Sequence, residues 1–273
     1  MDFELTQEMK MLKEMAYKFA VAEVGPVSQE CDEHEKYTPE IRKKAAANGL
    51  VGAWIPEAYG GSGAGILGNT IITEEVSKVD MGIGLNIVAS GFGCESILNY
   101  GSEEQKKKWL PKLASGELVA AIAMTEPGTG SDLQSVTTTA KLDGNQYVIN
   151  GQKTFISLGL LSDLVIVVAK TNPKADPPFK GISLICVEAG TPGFSRGRKL
   201  EKMGLHSQDT AELYFTDCRI PVSNRLGAKG SGFINLMTKL QQERLVCCIG
   251  AVAAAEYMLE ITIQYCKERT AFG

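Results

Sequence analysis

The spacing of apolar residues changes twice along the chain, and this restricts the fold more than any other feature. Up to about residue 120 apolar positions recur every three or four residues, as in Met9, Leu12, Met15 and Phe19. From about residue 119 the period shortens and β-branched residues become frequent, and after residues 225–232 the helical spacing returns. The sequence therefore predicts an α+β multidomain protein: an N-terminal helical bundle, a middle antiparallel β-barrel or sandwich domain, and the start of a C-terminal helical bundle. The predicted domains are 1–119, 120–228 and 229–273.

Capping signals locate two of the N-terminal helices. Thr38 and Pro39 predict an N-cap followed by a proline at the first helical position, and Gly49 predicts the end of that helix. Ser102 and Gln105 have the spacing of a capping box, which predicts a further helix from there.

Turn residues divide the middle region into strands. Asp143 and Gly144 form a dipeptide typical of a two-residue β-hairpin, between the strand-like runs at 136–142 and 146–149. Three further runs rich in β-branched and aromatic residues predict strands at 164–169, 182–187 and 212–215.

The last segment predicts one helix of about forty residues with an apolar stripe. The stripe comprises Leu236, Leu240, Cys247, Ala251, Ala254, Met258, Ile261 and Tyr265, and Glu243 lies in register with it. Because such a stripe cannot be buried within its own helix, we expect these residues to belong to a larger helical domain.

Composition excludes several classes of function. The net charge of -4 and the pI near 5.4 argue against a nucleic-acid surface, which is normally basic. Seven cysteines without a C-x-x-C pair indicate reduced thiols, as in the cytosol or an organelle matrix. The first ten residues resemble neither a secretory signal nor a transit peptide. No run of eighteen apolar residues occurs, so the sequence predicts no membrane span.

The most informative local segment is residues 121–132, AIAMTEPGTGSD, in which an apolar strand runs into a glycine-containing turn. Gly128 and Gly130 permit positive φ and close approach of the backbone, and Thr125 and Ser131 add hydroxyls, which together favour binding of an anion. An ordinary strand-to-strand turn is the alternative. The order of residues is that of neither a nicotinamide-binding G-x-G-x-x-G nor a P-loop.

Two other positions are candidates for chemistry. Glu243 in the apolar stripe loses hydration, which favours a general base, but its neighbour Arg244 allows an alternative interpretation as a buried structural pair. Phe155 and Ser157 offer a flat face and a hydroxyl to a planar ring, with core packing as the alternative.

The histidines are less promising. His206 lies in the polar segment 202–210 without an Asp or Cys at the spacing of a triad or a metal site, and His34 is expected at the surface.

Four motifs together resemble the acyl-CoA dehydrogenase family. They are MTEPGTGSD (124–132), INGQKTFIS (149–157), KMGL (202–205) and KERTAFG (267–273), and they occur in the family's order. The resemblance implies an FAD enzyme that converts an acyl-CoA to the trans-2-enoyl-CoA, acting in fatty acid β-oxidation. It implies that the residues in contact with the flavin are Ile122, Ala123, Met124, Thr125, Gly128, Gly130, Ser131, Phe155, Ile156 and Ser157.

The resemblance also assigns roles outside the flavin-facing strand. Arg269 matches an arginine that reaches the FAD of a neighbouring subunit, and Ser131, Lys180 and Arg244 fall near the path of CoA. The segments 208–213 and 242–245 most resemble the long-chain and isovaleryl branch, in which the catalytic base occupies the position of Glu243. An electron-transfer flavoprotein as electron acceptor and a homo-oligomer, dimer or tetramer, are implied as well. Two alternatives remain at this point: a non-catalytic acyl-CoA-binding or assembly module, and a flavin-dependent oxidase or monooxygenase.

Overall fold

The fold of the chain was obtained as a computed structural model, which describes residues 4–37 and 39–273. It has the predicted order of a helical N-terminal part, a central sheet and a long final helix. The predicted N-cap at Thr38 lies outside the described residues. The helix after it, however, begins at Pro39, and Gly49 follows its end with φ +71°.

Seven α-helices form the described N-terminal part. They are α1 (Gln7–Phe19), α2 (Gly25–Glu33), α3 (Pro39–Ala47), α4 (Gly65–Val79), α5 (Met81–Val88), α6 (Ser90–Tyr100) and α7 (Glu103–Ala114). The predicted capping box of α7 is confirmed: Gln105 N donates to Ser102 Oγ (3.2 Å) and Ser102 N to Gln105 Oε1 (2.8 Å). The same Gln105 side chain donates to the carbonyls of Ser223 and Arg225, which attaches the start of α7 to the sheet region.

The middle region is a single eight-stranded sheet. Its strands are β1 (Ala120–Ala123), β2 (Thr139–Asp143), β3 (Gln146–Ser157), β4 (Leu164–Lys170), β5 (Ile182–Glu188), β6 (Phe194–Lys199), β7 (Thr210–Pro221) and β8 (Arg225–Leu226). The order is β6-β7-β3-β2-β4-β5-β8, and β1 pairs with β4. The predicted hairpin between β2 and β3 is confirmed, with Asp143 opposite Gln146 and Gly144 at φ +57°.

The sheet differs from the prediction in two respects. It is not wholly antiparallel, because β1 runs parallel to β4 over four residue pairs and β2 meets β4 in one parallel pair. Strand β6 carries charged and small residues with the sequence FSRGRK, so the apolar pattern did not reveal it.

Helix α6 packs closely against the sheet at Gly93. A Cβ at this position would lie 2.9 Å from Ala120 Cβ and 3.0 Å from Ile166 Cδ1, so a larger residue would displace the helix. This contact fixes α6, and with it Phe92, relative to β1 and the turn that follows.

The final helix, α8 (Gly232–Glu268), packs along α4. Its buried face differs from the predicted stripe: Cys247 and Ala251 are exposed, and the buried residues are Gly232, Asn235, Leu236, Lys239, Glu243, Val246, Gly250 and Ala253. The face therefore includes a lysine as well as the glutamate. Every residue of α8 beyond Ala253 except the half-buried Ala254 is exposed.

Two helical stretches reach the length and hydropathy of a membrane-crossing helix, residues 81–100 and α8. The first is largely buried within the protein, as a core helix is, and length and composition alone do not establish a span for the second.

Candidate active site

The turn after β1 is closed by its own backbone. Glu126 N donates to Thr129 O (2.9 Å) and Thr129 N donates to Glu126 O (3.0 Å). The Glu126 side chain points into the protein, where it is 4% exposed. Its carboxylate accepts hydrogen bonds from Thr137 N and Oγ1 (both 2.6 Å) and from Thr138 N (3.0 Å). The turn is thus held in place from the protein interior by a buried carboxylate.

Strand β3 supplies the cation that pairs with this carboxylate. Lys153 is fully buried, and its Nζ donates to Glu126 Oε1 (2.9 Å) and to Met124 O (3.0 Å). The next residue, Thr154, donates its backbone N–H to Thr125 O (2.9 Å). These bonds fix the glycine-containing turn and the end of β3 side by side.

The pair perturbs both pKa values. Burial alone raises the pKa of Glu126, but the charge of Lys153 and the hydrogen bonds from Thr137 and Thr138 outweigh it and lower the pKa to about 2. Burial lowers the pKa of Lys153 to about 8, against the opposing effect of Glu126. Glu126 is therefore a carboxylate at neutral pH and serves the turn as a structural anion.

The two glycines of the turn do not use the conformational freedom of glycine. Neither Gly128 nor Gly130 has positive φ. A Cβ on either would meet no described atom within 4 Å. Neither backbone strain nor packing within the protein requires glycine here. The turn is exposed and unobstructed at these two positions.

Phe155 has an unusual backbone conformation for an aromatic residue. Its φ is +57°, and the pairing of β3 with β7 shifts register between Lys153 and Ile156, which marks a β-bulge. The bulge turns the Phe155 ring outward, where it is 66% exposed, whereas Ile156 is buried. The alternative interpretation, that Phe155 packs in the core, is therefore wrong. A strained residue with an exposed ring beside the turn is typical of a ligand site.

Ser157 receives a hydrogen bond from the segment 202–210. Gln208 Nε2 donates to Ser157 Oγ (3.2 Å), and Lys202 Nζ in turn donates to Gln208 O (2.6 Å). The segment is also attached to α5, because Asn86 donates to Ser207 O and accepts from Asp209 N. The segment 202–210 is therefore a loop held in place by hydrogen bonds and not only a solvated loop. Because the Ser157 oxygen is used as an acceptor, its own O–H remains free to donate.

Glu243 lies in a small cavity between α4, α6 and α8. It is 8% exposed, and the cavity, of about 10 Å³, is lined by Trp54, Ile66, Asn69, Gly91, Phe92, Glu95, Gln242, Glu243 and Val246. Its volume suffices for about one water molecule, so a longer ligand requires the lining side chains to move. The burial expected of the candidate base is present.

The ionic partner of Glu243 is not the predicted one. Arg244 is exposed, and the carboxylate instead pairs with Lys239, one helical turn earlier. Lys239 is buried too, and its Nζ also donates to Phe92 O (2.6 Å) on α6.

A second carboxyl group faces Glu243 across the cavity. Burial raises the pKa of Glu95 to about 7, with Lys239 lowering it and Glu243 raising it further. The amide of Gln242, with its nitrogen turned toward this carboxyl, donates to Glu95 Oε2 at 3.2 Å. The protonated form of Glu95 is thus much more accessible at neutral pH than that of an ordinary glutamate.

Phe92 connects the two parts of the site. Its ring packs against a cluster that includes Ala121, Ala123 and Ile156, and its carbonyl oxygen accepts the hydrogen bond from Lys239. Strand β1 and the glutamate cavity are consequently fixed to the same turn of α6.

Three other candidate residues lie at the surface of the chain. Ser131, Lys180 and Arg269 are all exposed. Arg269 caps the far end of α8, 26 residues after Glu243, which corresponds to roughly 39 Å along a straight helix.

The histidines play no part in this site. His34 is exposed as expected, and His206 contacts Asp32 (3.6 Å). Among residues 4–37 and 39–273 no group of three or more metal-ligating side chains occurs.

Sequence reasoning missed three elements of the site: Lys239, Glu95 and the Lys153–Glu126 pair. The four-residue spacing of Lys239 and Glu243 was a readable signal, because such residues share one face of a helix. The other two depend on contacts between distant segments and had no local signal.

Comparison with known proteins agrees with this architecture. Profiles of the N-terminal, middle and C-terminal domains of acyl-CoA dehydrogenases match residues 6–117, 121–218 and 230–273. The mitochondrial long-chain specific acyl-CoA dehydrogenase of Sus scrofa is 46% identical over 98% of this chain and 62% of the relative. The mitochondrial isovaleryl-CoA dehydrogenase of Pongo abelii is 39% identical over 98% of this chain and 64% of the relative.

A solved structure supports the same assignment. The acyl-CoA dehydrogenase from Geobacillus kaustophilus superposes with a TM-score of 0.93 at 49% identity, covering all of this chain and 72% of that one. The chain belongs to the acyl-CoA dehydrogenase family, whose named members are oxidoreductases. It spans about 62% of the length of the first curated relatives that it matches.

Proposed function

We propose that this chain carries the flavin-facing and base-bearing parts of an enzyme that removes two hydrogens from the α,β bond of an acyl-CoA thioester. The product is the trans-2-enoyl-CoA, and Glu243 is the base that takes the α-proton. The observation that carries the proposal is the burial of Glu243 in the cavity beside Phe92, connected through α6 to the flavin-facing strand. A carboxylate withdrawn from water and held in place is suited to proton abstraction.

The residues that would hold FAD fit a planar, partly anionic group. The turn at Gly128 and Gly130 is open, the Phe155 ring is exposed beside it, and Ser157 has a free O–H to donate. The proposed FAD contacts are Ile122, Ala123, Met124, Thr125, Gly128, Gly130, Ser131, Phe155, Ile156 and Ser157, with Arg269 contributed by a neighbouring subunit. When bound, FAD supplies the two-electron acceptor that takes the β-hydride at its N5.

The protein's own contribution is proton removal and positioning. As Glu243 takes the α-proton, the electron pair of that C–H bond forms the new α,β double bond, and the hydride leaves from the β-carbon. Side chains around the cavity exclude water, which strengthens the electrostatic interactions there. Ser131, Lys180 and Arg244, all exposed, are proposed to contact the CoA part of the substrate.

The wider setting belongs to the same proposal. The electron acceptor would be an electron-transfer flavoprotein and the assembly a homo-oligomer, dimer or tetramer. The compartment would be the bacterial cytoplasm or an organelle matrix, and the role would lie in fatty acid β-oxidation. We propose domain boundaries at 119/120 and 228/229. The Gln-Glu-Arg-Leu sequence around Glu243 supports a place in the long-chain and isovaleryl branch.

The test is the colour of the flavin. Anaerobic addition of palmitoyl-CoA or isovaleryl-CoA to the FAD-loaded full-length protein should bleach its visible absorbance. The Glu243→Gln variant should retain FAD and bleach on the order of a thousand-fold more slowly or not at all. Glu260→Gln, an exposed carboxylate on the same helix, is the matched control and should bleach like the wild type.

Other outcomes identify the rival functions. Tight binding of acyl-CoA by a protein that takes up no FAD would indicate a binding or assembly module. Rapid oxygen consumption by the reduced protein would indicate an oxidase or monooxygenase. Bleaching that survives in Glu243→Gln would remove Glu243 from the base role.

A further inference from the structure

A buried cation accompanies the proposed base. The Lys239 side chain is 2% exposed and pairs with Glu243 Oε1 four residues later on α8. Its Nζ is also held by Phe92 O at 2.6 Å, a backbone carbonyl on α6 that carries no titratable proton. The ammonium group is therefore held from two helices.

This contact divides the roles of the two carboxylate oxygens. Oε1 of Glu243 is occupied by Lys239, and no hydrogen bond to Oε2 occurs among residues 4–37 and 39–273. Oε2 is thus the oxygen that remains to receive a proton from a molecule in the cavity.

Several charged or titratable groups surround Glu243. In the described part of the chain, the titratable groups close to its carboxyl are Lys239 and the Cys247 thiol on α8 and Glu95 on α6, and α4 presents the neutral amide of Asn69. Glu95 brings a second negative charge whenever it is ionised. Two buried negative charges repel each other, and the positive charge of Lys239 compensates for this repulsion.

We infer that Lys239 is a positioning residue for the base: it holds the Glu243 side chain in place with a positive charge, occupies Oε1 and leaves Oε2 to take the substrate proton. The inference rests on the proposed function and adds to it a residue that sets the pH range of the reaction. Glu95 acts in the opposite direction, because it can bring a negative charge to the same cavity.

The experiment is the pH profile of anaerobic bleaching in the FAD-loaded full-length protein with palmitoyl-CoA and isovaleryl-CoA. The acid limb is the part of the profile in which the bleaching rate falls as the pH decreases. In Lys239→Met this limb should shift to higher pH by about one unit, so that the rate at pH values below it falls roughly ten-fold. At high pH it should approach the wild-type value. Lys141→Met, an exposed lysine on β2, is the control and should leave the profile unchanged.

The Glu95→Gln variant tests the same electrostatics in the other direction and does not remove the buried cation. It should move a limb that lies near or above pH 7 to lower pH, and it should leave a limb well below pH 7 in place, because Glu95 is mostly protonated there. An unmoved limb in the folded Lys239→Met variant, or a rate lowered equally at every pH, would overturn the inference.

A third measurement does not require activity. In urea unfolding of Lys239→Met, Glu243→Gln and the double variant, the fold-change of the unfolding constant in the double variant should differ roughly ten-fold from the product of the two single fold-changes. A double variant that equals this product would contradict the pairing. The failures are distinguishable: if Glu243→Gln bleaches normally, the proposed base is wrong, whereas an unshifted limb with an essential Glu243 removes only the role of Lys239.

Discussion

At the scale of single residues, the structure maintains an unfavourable conformation at Phe155. A left-handed backbone costs an L-residue with a Cβ roughly 1–2 kcal/mol, and the exposed ring recovers little of this by burial. The neighbouring residues hold it there, because Lys153 is tied to the turn and Ile156 is anchored in the core. Because contacts within the protein do not offset this conformational free energy, we expect a bound ligand to offset it.

The Phe155→Gly variant tests separately the cost of the backbone conformation and the contribution of the ring to ligand binding. Glycine accepts positive φ without strain but makes the unfolded chain more flexible, so the stability of the FAD-free protein should change by no more than about 1 kcal/mol. FAD affinity should fall about ten-fold with loss of the ring contact. Thermal unfolding and FAD titration by fluorescence quenching measure the two quantities.

Phe155→Ala is the control for this prediction. It loses the ring but keeps the strained backbone, so it should bind FAD as weakly as Phe155→Gly and be less stable than it. A large loss of stability in Phe155→Gly would show that the ring serves the protein core.

At the scale of elements, the Lys153–Glu126 pair joins β3 to the turn after β1. Removing one partner of a buried pair leaves an uncompensated charge, which typically costs about 3–5 kcal/mol. The Lys153→Met variant should lose stability by about this amount, measured by urea unfolding at pH 7. Lys141→Met on β2 is exposed and should change stability by less than about 0.5 kcal/mol.

The same pair predicts that the stability of the folded protein decreases at acid pH. The pKa of Glu126 is about 2 in the folded protein against 4.5 for an ordinary glutamate, so on acidification the unfolded chain takes up its proton first. The stabilisation is therefore present above pH 4.5 and is lost as pH falls toward 2. In Glu126→Gln this part of the pH dependence should be absent. An identical acid profile in the variant would contradict the assignment.

Elements with strong local signals were predictable from the sequence, and those that depend on pairing were not. The capping box at Ser102 and the hairpin at Gly144 follow from neighbouring residues and are confirmed. The parallel pairing of β1 with β4 was not predictable, because it joins segments some forty residues apart. The candidate base was found from its apolar stripe, but the buried face of α8 includes Lys239 and excludes Cys247, since the facing helices select the side that is covered.

At the scale of the whole molecule, helix α8 carries two residues with proposed roles that lie far apart along its length. Glu243 lies near its beginning, where α4 and α6 cover it, and Arg269 lies at its exposed end. At roughly 39 Å along the helix, the two side chains cannot meet in one site of the same chain. If Arg269 contacts FAD, it must do so in the site of another subunit, which makes the oligomer a requirement for a complete site.

Mixing two inactive variants of the full-length protein tests this arrangement. Glu243→Gln lacks the base, and Arg269→Ala should lose FAD affinity in its partner's site. In a random mixture that forms two-fold pairs, half of the pairs contain one chain of each kind, and each such pair has one site with an intact Glu243 and an intact Arg269. Bleaching should therefore recover to about one quarter of the wild-type amplitude. If Arg269 served its own chain, every site in the mixture would lack one group, and the amplitude would stay at the level of the separate variants.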